Sequence, residues 1–66
     1  MHMVKIVKPP NVKDTVKLLS GYHAGCRARV VERRKNGLYR VILLDGADQG
    51  IERYGLAAWE LERVNV

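Results

Sequence analysis

The chain has 66 residues, 47% of them hydrophobic, with 12 Lys and Arg against 7 acids for a net charge of +5. That length allows one domain, near the lower limit for folding without a staple, and that hydrophobic content excludes disorder. A single cysteine, Cys26, excludes an internal disulfide and a cysteine-rich zinc site.

Residues 1–3 hold two possible starts, Met1 and Met3, and are left out of the functional reading. Residues 4–13 begin with apolar–polar alternation and end on Pro9-Pro10. Prolines deny donors to a central strand, so an N-terminal arm over residues 1–13 is expected ahead of a folded unit at residues 14–66. Asp14-Thr15 reads as a turn into a first strand, Val16 to Leu19. Gly21 and Gly25 then bracket a tight reversal, because glycine accepts the positive φ that other residues resist. A second strand runs from about Cys26 to Arg33. Arg34-Lys35-Asn36-Gly37 is the clearest turn in the chain, since Asn-Gly is the preferred hairpin dipeptide.

The third strand covers Leu38 to Leu44, a polar loop follows over residues 45–50, and Ile51 to Tyr54 is a short fourth strand. Residues 55–60 are too few for a stable helix and predict a single helical turn. Leu61 to Val64 closes as a fifth strand. The predicted fold is all-β, a small five-stranded antiparallel barrel with one helical turn before the last strand, its closure removing free edges. Trp59 and Tyr39 are expected to staple its aliphatic core. The competing α+β fold needs a helix at 54–63, where Trp59, Leu61 and Val64 make no continuous helical stripe.

The hairpin turn at Asn36-Gly37 carries the functional expectation. With a two- or four-residue loop, paired residue numbers sum to an odd number. Arg27, Arg29, Val31 and Arg33 then share a face with Arg40, Ile42 and Leu44, and Ala28, Val30 and Glu32 face the core with Tyr39, Val41 and Leu43. A three-residue loop would flip the arginines among the core residues. Four arginines on one face, with Arg34 and Lys35 at the tip, suit phosphate through bidentate hydrogen bonds and base stacking. The alternative is a solvated face partly neutralised by Glu32, Glu60 or Glu62. Tyr22 and His23, in the first loop, offer rings for stacking, unless Tyr22 folds back to cap the barrel.

The stretch Val16–Val31 resembles a KOW motif through Val16, Leu18, Gly21, Gly25, Val30 and Val31. The resemblance implies an SH3-like barrel that contacts RNA or protein. Tyr39-Arg40-Val41 and Trp59-Glu60-Leu61 are similar to the basic photosystem I peripheral subunit family, which implies docking to proteins without chemistry. Val16-Lys17 with Ser20-Gly21, and Leu61 to Asn65, are similar to type II dihydrofolate reductase. That likeness would imply a pore-forming oligomeric enzyme using Glu52, Arg53 and Tyr54. This chain has leucine at 18 and 19, where that family's pore lysine is expected.

No other motif carries chemistry. Cys26 and His23 lack an orienting third group, and Cys26 reads as a small hydrophobe at the head of a strand. Asp45, Asp48 and Glu52 lack calcium-loop spacing, and no phosphate-binding glycine loop is present. The expectation is therefore a non-catalytic module, not an enzyme, with no cofactor, metal or small-molecule ligand. Its partner is expected to be RNA or DNA, met by Tyr22, His23, Arg27, Arg29, Arg33, Arg34, Lys35 and Arg40, or alternatively an acidic protein surface. The lone thiol fits a reducing compartment and no apolar run reaches membrane length, so a cytoplasmic location away from membranes is expected.

Overall fold

Apolar–polar alternation becomes five strands in the structure, a computed structural model that describes residues 9–64. They are β1 (Thr15–Leu18), β2 (Arg27–Arg33), β3 (Tyr39–Leu43), β4 (Glu52–Leu56) and β5 (Leu61–Arg63). All neighbours pair antiparallel, in the order β4-β3-β2-β1-β5. A single 3-10 turn, Ala58–Glu60, precedes β5. Each strand lies within a residue or two of its predicted bounds, and the helical turn occupies the last three of the residues 55–60 expected to hold it. The helix at 54–63 is not formed, because β4 continues to Leu56 and β5 begins at Leu61.

One face of every strand supplies the core: Val16, Leu18, Ala28, Val30, Tyr39, Val41, Leu43, Leu56 and Leu61. A single sheet can bury its own face only by curling. Irregularities in register at β2–β3, between Val30 and Glu32, and at β3–β4, between Tyr39 and Val41, are where the ladder bends. The predicted closure into a barrel is not met. Among the described residues β4 and β5 are the two edges of the sheet; Leu56 and Leu61 both belong to the shared core, and no hydrogen-bonded ladder joins the two strands. Three residues of β5 already pair with β1, and the 3-10 turn separates them from β4.

Two expectations about aromatic packing resolve differently. Tyr39 is fully buried, and its hydroxyl donates to the Pro10 carbonyl at 3.0 Å. Trp59 is 81% exposed and staples nothing. The 3-10 turn points it outward, while its own geometry is held by Glu60, whose carboxylate accepts from the Ala57 N–H at 2.8 Å. Residues 9–13 of the predicted arm lie against the sheet, with Pro10 buried and the Lys13 N–H bonded to the Val30 carbonyl at 2.8 Å. The remainder of that arm, residues 1–8, falls outside the described residues. No helix among those described is long and apolar enough to cross a membrane.

Candidate functional site

The β2–β3 hairpin turns differently from expectation, and its turn decides which side chains share a surface. The Gly37 N–H reaches the Arg34 carbonyl at 3.0 Å, and the Arg34 N–H reaches the Leu38 carbonyl at 2.8 Å. Residues 35–37 therefore form a three-residue loop, with Gly37 at φ +83° and the Asn36 side chain accepting from the Leu38 N–H at 3.1 Å. Pairing next to the turn is consequently even-numbered in sum: Glu32 stands opposite Arg40 and Arg33 opposite Tyr39. An extra residue, Val31, then shifts the register, so that Val30 meets Val41 and Arg29 meets Ile42 as expected.

This bulge corrects the predicted face in two places. Arg33 leaves the outer face and lies over the Tyr39 ring, its guanidinium carbon 5.9 Å from the ring centroid. Glu32, expected in the core, turns outward beside Arg40. Arg27, Arg29 and Arg40 do occupy the outer face, in company with Lys17, which pairs in register with Arg27 and with Glu62. Carboxylates stand among them. Arg40 lies 3.6 Å from Glu32 and 3.3 Å from Glu52, its Nε buried without a hydrogen bond. Asp45 receives both the backbone N–H of Arg27, at 3.0 Å, and its Nε, at 3.1 Å. Those two bonds, the backbone one foremost, hold the Asp45 carboxyl below its ordinary range. The outer face thus carries Arg27, Arg29, Arg40 and Lys17 against Glu32, Glu52, Glu62 and Asp45, and its charge is balanced.

Positive charge concentrates instead at the hairpin tip. Arg33, Arg34 and Lys35 are consecutive and exposed, and none of them is paired with a carboxylate among the described residues. With Glu32 and Asn36 they line an open groove of about 440 Å³. Arg29 also lacks a carboxylate partner among those residues, and lies on the outer face between Thr15 and Ile42.

The other two predicted residues lie at the opposite end of β2. Tyr22 is 88% exposed and caps nothing; it meets the His23 ring edge-on at 4.9 Å. His23 is committed elsewhere, its side chain only 13% exposed. Its Nδ1 lies 2.6 Å from Arg53 Nη1, and its Nε2 lies 2.6 Å from Asp48 Oδ2. Arginine can only donate, so Nδ1 accepts and Nε2 carries the proton toward Asp48. Nearby, Ser20 donates to Glu60 at 2.9 Å; this bond and the stronger effect of the Ala57 N–H lower the Glu60 carboxyl. Sequence reasoning missed Arg53 as the residue that engages His23. The two are 30 positions apart, and nothing in either local pattern signals the contact.

The remaining chemical candidates disperse. Asp45, Asp48 and Glu52 each serve a different cation or ring, at Arg27, His23 and Arg40 respectively. No cluster of metal-ligating side chains forms among the described residues. Cys26 packs partly buried against the core, as its reading as a small hydrophobe expects. No protein-family model and no curated protein matches the chain.

Proposed function

We propose that this domain is a non-catalytic module of the KOW-like, SH3-like kind that binds nucleic acid through phosphates, with the tip of the β2–β3 hairpin as its contact. The structural class is supported by the antiparallel β1–β2 pair and by the loop between them, where Gly21 and Gly25 both take positive φ. The observation that carries the function is the run Arg33-Arg34-Lys35. It is the one place in the described chain where successive cations project from a hydrogen-bonded turn with no carboxylate pairing them. Arg29 adds a further cation behind it. Arginine forks match phosphate oxygens, and a stacked guanidinium such as that of Arg33 loses less freedom on binding.

Fluorescence anisotropy with a mixed-sequence oligonucleotide pool at low salt tests this. Binding should weaken as salt rises, and Arg34→Ala and Lys35→Ala should each reduce it, whereas Arg27→Ala should matter little because Arg27 already serves Asp45. Absence of binding at low salt ends the reading.

A further inference from the structure

Building on the phosphate-binding reading, we infer that the hairpin tip meets a double-stranded nucleic acid along its backbone and not a single strand. Non-specific single-strand recognition combines cations with exposed rings on which bases stack, each worth about 1–3 kcal/mol. The tip has the cations and lacks the rings. Tyr39, the aromatic residue beside it, is buried beneath Arg33 with its hydroxyl bound to Pro10.

None of the exposed rings belongs to the β2–β3 hairpin. Tyr22 belongs to the loop that enters β2 at its far end, a strand length of roughly 20 Å from the tip at about 3.3 Å per residue. Trp59 belongs to the same end, since its 3-10 turn is bonded to that loop through Leu19 N–H to the Glu60 carbonyl and Ser20 Oγ to the Glu60 carboxylate. Tyr54 is 64% exposed on β4, where with Gly55 it stands opposite Arg40, between the Val41–Arg53 and Tyr39–Leu56 pairs. A strand stacked there would have to carry its phosphates past Glu52 and Glu32, which flank Arg40.

A duplex asks for nothing the tip lacks. It presents one negative charge per ~1.7 Å of axis on a stiff frame, and phosphate contacts need no unstacked base. The tip is correspondingly stiff: two backbone hydrogen bonds and the Asn36 side chain hold the turn, and the Tyr39 ring backs Arg33. Contacts of this kind carry no sequence information, so affinity should be indifferent to base order.

The test is a salt titration of the full chain against one labelled mixed-sequence strand, its complement, and the annealed duplex, as DNA and as RNA. Duplex should bind about fivefold or more tighter than either strand, with log affinity falling against log salt at a slope of about −3 for three phosphate contacts. Tyr22→Ala and Tyr54→Ala should leave that affinity unchanged. Equal or tighter binding of a single strand, or loss of affinity in either tyrosine variant, overturns the duplex assignment while leaving phosphate binding intact. Failure of every probe to bind at low salt overturns both.

Discussion

Arg33 stands opposite Tyr39 in the β2–β3 ladder, its guanidinium carbon 5.9 Å from the ring centroid. Alternation along β2 would have placed this arginine on the outer face with Arg27 and Arg29. The extra residue at Val31 puts it on the other side, where it lies over the rim of the core and extends the cationic tip.

Tyr39 joins that tip to the residues before β1, because its hydroxyl donates to the Pro10 carbonyl in a buried site. Tyr39→Phe keeps the ring under Arg33 and leaves that carbonyl unpaired. The expected loss is about 1 kcal/mol of stability by urea denaturation, with nucleic-acid affinity unaltered. Unchanged stability would mean that the hydroxyl does not anchor the segment.

Arg40 is held between Glu32 and Glu52, whose carboxylates offset its charge on the outer face. Replacing both, Glu32→Gln with Glu52→Gln, should expose a cation close to the tip. Affinity for nucleic acid should rise and the salt slope steepen by about one unit, as for one added phosphate contact. The pairs themselves are half-exposed, so the stability change should stay within about 1 kcal/mol. Affinity equal to that of the parent chain would show that phosphates do not approach β3.

Acid should destabilise the fold through two particular carboxylates. Asp45 and Glu60 both titrate below their ordinary range in the folded chain, each held by a backbone N–H and a side-chain donor. The unfolded chain therefore takes up their protons first. Their contribution is complete above the usual carboxylate range near pH 4 and is lost as pH falls through the lowered folded values. Glu60→Gln can still accept from the Ala57 N–H but no longer titrates. Denaturation midpoints between pH 7 and pH 3 should fall less steeply in Glu60→Gln and in Asp45→Asn than in the parent. Identical slopes would show that these carboxylates do not sense folding.

Lys13 holds a left-handed backbone, φ 80°, in the turn where the Asn11 N–H meets the Asp14 carboxylate at 2.8 Å. An L side chain there costs about 1–2 kcal/mol, part of which glycine returns in unfolded-state entropy. Lys13→Gly should stabilise the domain by about 0.5–1 kcal/mol, a rise of roughly 2–8 °C in Tm for a chain this short. A lower Tm would mean that the lysine side chain contributes more than its backbone strain costs.

Strand order in the chain was legible because β1, β2 and β3 alternate and the first three reversals each hold a glycine, as at Asn36-Gly37. The core members Val30, Val41 and Leu43 followed from the same pattern. The face of Arg33 and Glu32 was not legible. The loop length at Lys35–Gly37 and the bulge at Val31 shift the register in opposite senses, and neither is written in residue type. The two errors cancel at Arg29 and Ile42, which is why that half of the face came out as expected.

Local chemistry, the intrinsic preferences of β-branched residues, glycines and prolines, sufficed to specify five antiparallel strands, a helical turn before the last, and an excess of basic groups. Tertiary structure alone decided how those charges are spent. Bringing Asp45 to Arg27, Glu52 to Arg40 and Asp48 to His23 joins residues 12 or more positions apart, and only a folded sheet puts them within reach of one another. Among the described residues that long-range pairing leaves single cations such as Arg29 uncancelled on the sheet, and a run of successive ones, Arg33-Arg34-Lys35, only at the tip, because no acidic segment is brought against that turn.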